Sequence, residues 1–237
     1  MRGQRPTPSA GLPEAAEPAA ESASAGEGEQ FEFLRVPAMS MPTIPPDQFA
    51  PVKYGWDYVR HAMMGLAIHR AAREGVVGDM AEVGVWRGDC ARFIHSFAPD
   101  RRLYLFDTFD GFRDLTTKDL TDDTRFRDTG VDIVRQTVGP SENVIIKKGI
   151  FPDTTQGMGD NRFAFVSLDL DTYEGILEGW RYFYPRMAVG GYIFIHDFNA
   201  TEYNFGPYRA TTEFLSDKPE NIIEIPDQWG SALIRKV

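Results

Sequence analysis

From Asp57 onward, apolar residues recur in two rhythms. Residues 57–74 (DYVRHAMMGLAIHRAARE) carry Val59, Met63, Leu66, Ala67, Ile68 and Ala71 at helical spacing. The pattern predicts a helix with Asp57 as its N-cap and Gly75 as its stop. Beyond it, short apolar runs alternate with helical ones. Residues 80–85, 102–106, 143–147, 163–168, 191–195, 222–225 and 231–235 predict strands. Residues 88–97, 131–137, 172–183 and 208–216 predict helices. This alternation implies an α/β fold, a mostly parallel sheet with helices on both faces. The last two strands share a short link with Pro226 and Gly230, so they form an antiparallel hairpin. The polar stretch 107–130 is too long for a routine connection and reads as a lid or substrate loop.

Composition divides the chain. Residues 1–30 contain no Phe, Trp, Tyr, Ile or Val. Such a segment buries too little surface to offset its ordering entropy and reads as a disordered acidic tail. Residues 31–56 are a Pro-rich extended arm, leaving 57–237 as the folded domain. No apolar run follows Arg2 and Arg5 as a signal peptide would require, and no run approaches the length of a membrane span. The expectation is no membrane partner. The net charge of −10 argues against nucleic acid, which needs a basic face. Cys90 is the only cysteine, which excludes an intrachain disulfide or a multi-cysteine zinc site. It fits a reducing compartment, so the expected location is the cytoplasm. A homo-oligomer is left open.

Ligands of an open parallel sheet bind beyond the carboxyl ends of its strands. The first such end reads Glu82-Val83-Gly84-Val85-Trp86-Arg87-Gly88. Its glycines permit a sharp turn and a close backbone approach. The G-x-x-x-G spacing is not that of nicotinamide enzymes, and no GK[ST] follows. Asp107 closes the second strand, where a carboxylate can accept bonds from a ribose diol. Taken alone, this is equally a glycine turn beside a solvated acid. A second cluster is Asp169 with Asp171, then His196 with Asp197 at the next strand end. In extended backbone Asp169 and Asp171 point to one side. Crowded like charges call for a cation or a shared proton. The competing reading makes them strand-end caps, with Asp171 capping the 172–183 helix.

The strings GDMAEVGVWRGDCARFI, LYLFDTFDGF and SLDLDTYEGILEGWRYFYPRMAVGGYIFIHDF, in that order, resemble the macrocin O-methyltransferase family over about residues 55–237. The resemblance implies a Rossmann-like class I methyltransferase using S-adenosylmethionine. Its sheet has seven strands, mostly parallel, with an antiparallel last strand. The implied acceptor is a hydroxyl on a small molecule, such as a sugar of a secondary metabolite. The resemblance places Glu82, Val83, Gly84 and Gly88 in the cofactor loop and Asp107 on the ribose. It puts Thr108 and Phe109 near the adenosine, makes Asp169 a metal ligand and makes Asp171 the general base. Family members close the next strand with two acids, whereas here His196 and Asp197 stand there. The working expectation is a divalent metal, magnesium or manganese, on Asp169, His196 and Asp197. Asp171 or His196 then takes the proton. His196 leaves three options open: a ligand, a base or orienting group, or a metal site that has been lost. The alternatives are a metal-independent or catalytically silent cofactor-binding protein, or another acceptor class.

Acceptor choice is expected to come from the 110–130 and 198–207 loops, with Phe198, Tyr203, Phe205 and Trp229 at the site edge. Arg113, Lys118, Arg125 and Arg127 read as a solvated loop. His61, His69 and His95 read as surface or packing residues, and Cys90 as a small core residue.

Overall fold

The computed structural model describes residues 57–112, 125–201 and 204–237. The tail, the arm, Arg113, Lys118 and Tyr203 lie outside them. Helix α1 spans Tyr58–Arg73, and Asp57 caps it by accepting the Arg60 N–H at 3.2 Å. Gly75 follows with a φ of 69°, the left-handed conformation expected of a helix stop. The buried face of α1 is shifted from the expected one. His61, Ala62, Met64, Gly65, Ala67, Ile68 and Ala71 are buried, while Val59 is exposed.

The remaining elements follow the alternation: β1 (Asp79–Val83), α2 (Asp89–Phe97), β2 (Leu103–Asp107), α3 (Val131–Val138), β3 (Val144–Lys148), β4 (Phe163–Leu168), α4 (Tyr173–Phe183), β5 (Met187–Ile195), α5 (Gly206–Leu215), β6 (Ile222–Ile225) and β7 (Ser231–Arg235). The seven strands lie in the order β3-β2-β1-β4-β5-β7-β6. All adjacent pairs are parallel except those made by β7, which runs antiparallel to both β5 and β6. The expected hairpin is present, with β7 inserted between β5 and β6. Strand β5 begins four residues before the expected start, taking in Met187–Gly190.

Two cores cover the two faces. One joins Met64, Ala67, Phe93, Ile94 and Val134 of α1, α2 and α3 to the sheet. The other joins Ile176, Trp180, Phe183, Ala210 and Leu215 of α4 and α5 to it. Strand β1 is buried at all five positions, as expected of a central parallel strand covered twice. The chain order reverses between β1 and β4, which opens a crevice beyond their carboxyl ends. No helix among the described residues is long and apolar enough to cross a membrane.

Candidate active site

A cleft of about 610 Å³ occupies that crevice. It brings together Glu82, Val83, Gly84, Asp107, Thr108, Asp169, Asp171, His196 and Asp197 from four strand ends.

The β1 end forms its floor. Gly84 has a φ of 88°, and a Cβ there would lie 1.8 Å from the Asp169 carbonyl oxygen. Only glycine lets the two strand ends meet so closely. Gly88, at φ 87°, stands at the N-terminus of α2 and packs on Val134 outside the cleft. Asp107 ties the loop down. Its Oδ2 accepts the Val85 and Trp86 N–H groups at 2.7 and 2.9 Å, and its Oδ1 accepts the Phe109 N–H at 2.6 Å. Its charge thereby organises the loop as well as facing the cleft. Val83 and Phe109 turn their side chains into the cores. The residues that line this end are instead Trp86, Phe112, Phe126, Ile150 and Phe151.

The described end of the 107–130 stretch is clasped to the same loop. The Trp86 indole donates to Asp128 at 2.8 Å, and Arg87 pairs with Asp128 at 3.1 Å. The Thr129 hydroxyl donates to the Trp86 carbonyl, and Phe126 meets the Trp86 ring edge-on at 6.0 Å.

Glu82 is 1% exposed, and among the described residues its Oε2 has no hydrogen-bond partner. Burial raises its pKa to about 8, against a lowering bond from the Cys90 thiol. An unpaired buried carboxylate oxygen is costly, so this site fits a ligand carrying an ammonium group. Cys90 is buried, and burial with nearby Glu82 pushes its thiol well up, away from nucleophilic use.

Asp169, Asp171, His196 and Asp197 meet across the β4–β5 pair, where the His196 N–H reaches the Leu168 carbonyl at 2.9 Å. Asp171 reaches the cleft by a turn rather than by strand alternation: its φ is 56°. It does not cap α4. Thr172 does, accepting the Gly175 N–H at 3.1 Å. Burial, then Asp169 and Asp197, raise the Asp171 pKa well above the usual carboxylate range. For Asp169 burial pushes the same way, but His196 and Arg60 outweigh it and hold its carboxyl low.

Arg60, at the start of α1, was not among the expected site residues. It lines the cleft, and its Nη1 donates to His196 Nε2. His61 beside it also lines the cleft, and burial with Arg60 lowers its pKa to about 3. Of the aromatics expected at the edge, Trp229 lines the cleft. Phe198 is instead a core residue, 1% exposed and packed on Tyr208.

Asp169, His196 and Asp197 bring one ligand atom each within 4.8 Å of one another, as the metal expectation requires. His196 Nδ1 lies 3.1 Å from Asp169 Oδ1 and 3.2 Å from Asp197 Oδ2. The other ring nitrogen decides what these distances mean. A guanidinium has no acceptor, so Nε2 must accept from Arg60 and a neutral ring carries its proton on Nδ1. The Arg60 contact leaves no place for a second proton on Nε2. With Nε2 taken by Arg60, Nδ1 offers a hydrogen, whereas a metal needs its lone pair. This donor set does not fit a cation.

A parallel sheet with one reversed strand, bearing a glycine-turned ligand loop at its switch point, is the fold of class I S-adenosylmethionine-dependent methyltransferases. The chain belongs to the macrocin O-methyltransferase (TylF) family, whose model matches residues 57–225. It is 28% identical over 173 residues to the mycinamicin III 3''-O-methyltransferase of Micromonospora griseorubida, covering 61% of this chain and 68% of that protein. It is also 28% identical over 168 residues to the 8-demethyl-8-(2,3-dimethoxy-alpha-L-rhamnosyl)-tetracenomycin-C 4'-O-methyltransferase of Streptomyces olivaceus, covering 60% and 64%. The matches thus span about two thirds of these relatives. Among solved structures, the O-methyltransferase NovP superposes with a TM-score of 0.63 at 23% identity, covering 75% of this chain and 79% of that one. The calicheamicin methyltransferase CalS11 gives 0.60 at 18% identity, covering 90% and 99%.

Proposed function

We propose that this chain transfers a methyl group from S-adenosylmethionine to a hydroxyl of a small-molecule acceptor, a sugar carried by a natural product. The observation that carries the reading is a single cleft joining Glu82, a buried carboxyl with an unpartnered Oε2 among the described residues, to a high-pKa carboxylate, Asp171. The name of the Streptomyces olivaceus relative gives it a rhamnosyl-bearing tetracenomycin, which supports the acceptor class. The sulfonium of S-adenosylmethionine supplies an already activated methyl group. Glu82 receives the cofactor's amino group, Gly84 keeps the loop close, and Asp107 and Thr108 stand at the ribose side. Asp171 accepts the proton of the acceptor hydroxyl as the new C–O bond forms and the C–S bond breaks. Its raised pKa makes it a stronger base than an exposed aspartate, once ionised. Trp229 offers an apolar face to the acceptor at the mouth. The expected magnesium or manganese enters no step, because the ring nitrogen facing Asp169 and Asp197 bears a hydrogen.

The test is transfer of labelled methyl from S-adenosylmethionine to a panel of glycosylated natural products. Asp171→Asn should lower kcat by about 10²–10⁴-fold while S-adenosylhomocysteine still binds by calorimetry. Undiminished turnover would remove Asp171 as the base. Binding of S-adenosylhomocysteine with no transfer to any acceptor would support a silent cofactor-binding protein.

A further inference from the structure

The two acids Asp169 and Asp197 sit at adjacent strand ends, and something must balance them. In this chain the compensating groups are part of the protein. His196 is 8% exposed and places Nδ1–H between the two carboxylates. Behind it, Arg60 holds Nε2 as an acceptor and fixes that tautomer. Arg60 is itself held from below, because α1 starts at Asp57, whose carboxylate caps the Arg60 N–H. The chain of contacts therefore runs from a permanent cation through a ring to two carboxylates, all within one cleft.

We propose that Arg60 and His196 together replace the divalent cation, so that this methyltransferase works without a metal. The proposal rests on the methyltransferase reading above and deepens it. Arg60 is a positioning residue: it acts through His196 by keeping the lone pair on Nε2 and the hydrogen on Nδ1. A lysine would supply the charge but not the rigid planar donor. The positive charge is always present, since guanidinium does not titrate in the working range. The enzyme needs no metal loading before turnover, and chelators leave it intact.

The experiment uses the full chain and Mn²⁺ as the probe, with bound ion read from the loss of the free Mn²⁺ electron paramagnetic resonance signal. Wild type is expected to bind no Mn²⁺ at millimolar concentration, and its turnover is expected to change less than twofold in EDTA. His196→Asp, which restores an acid trio, is expected to acquire one Mn²⁺ per chain, and Asp169→Asn in that background is expected to lose it. Calorimetry with S-adenosylhomocysteine verifies that each variant is folded. One Mn²⁺ per wild-type chain that Asp169→Asn removes would overturn the proposal. So would turnover abolished by EDTA and restored by Mg²⁺ or Mn²⁺. A folded His196→Asp chain that stays free of metal overturns it too, since the acids would then not be the remainder of a cation site. Failure of wild type to bind S-adenosylhomocysteine at all would instead count against the methyltransferase reading, whatever the metal result.

Discussion

At the scale of single residues, the cleft is organised by a few groups that are poorly satisfied without a ligand. Glu82 is the clearest. Its folded pKa, about 8, lies above the ordinary glutamate value of 4.5, so the folded state holds a proton that the unfolded chain releases. Its contribution to stability is therefore full below the unfolded value and declines as pH rises toward 8. Comparing wild type with Glu82→Gln by urea denaturation from pH 5 to 8 should show wild type losing up to about 1.4 kcal/mol per pH unit relative to the variant. Saturating S-adenosylhomocysteine should flatten the slope, because an ammonium beside Oε2 favours the charged form. Gly84→Ala makes a second residue-scale case. Its Cβ would meet the Asp169 carbonyl at 1.8 Å, and φ is already left-handed. The expected cost is about 2–4 kcal/mol in the unfolding free energy, with S-adenosylhomocysteine binding lost as the two strand ends separate.

At the scale of elements, the ends of strands matter more than the strands. Helix α4 starts at Thr172 with its own cap, so Asp171 carries no structural duty at the helix start. Thr172→Ala should cost about 1 kcal/mol in thermal or urea unfolding, whereas Asp171→Asn should cost little stability and most of the turnover. That split was not legible in the chain, where either residue suits a cap. Most of the site was legible, for a general reason: polar residues that break an apolar strand run at its carboxyl end mark the ligand edge of a parallel sheet. Glu82, Asp107, Asp169, Asp171, His196 and Asp197 all met that test, and all line the cleft. Arg60 did not, because it lies on a helix that precedes the sheet. Counting the apolar stripe from Val59 placed position 60 off the buried face. The stripe in fact runs through Met64, Ala67 and Ala71, and Arg60 continues it one turn earlier. An arginine in register with such a stripe was the available signal. Phe198 was misplaced for another reason. Its loop turns back on the sheet, with left-handed backbone at Asp197, and carries the ring into the core.

At the scale of the whole molecule, two cores of different make-up support one edge. The core beneath α4 and α5 centres on Trp180, which is fully buried, stacks on Phe214 at 5.3 Å and donates to Thr211 at 3.0 Å. Trp180→Ala removes the ring and leaves a buried hydroxyl without its donor. The expected loss is about 3–5 kcal/mol by chemical denaturation, with S-adenosylhomocysteine affinity of the remaining folded fraction unchanged. A loss of affinity without a loss of stability would instead show that α4 and α5 transmit directly to the cleft.

The insertion of β7 between β5 and β6 sets an order of events during synthesis. Strand β5 carries His196 and Asp197 at its end, and its outer edge pairs with Ala232–Arg235 and, through Gly190 and Gly191, with Lys236. Until the ribosome has released those residues, Tyr192–Ile195 present an open row of backbone donors and acceptors. The cofactor half of the cleft, built from β1, β2 and the loops after them, can take shape while β7 is still untranslated. The half that carries His196 and Asp197 waits for it. A nascent chain paused short of Ser231 is thus the species most exposed to strand-to-strand aggregation, and the one a chaperone has most reason to hold.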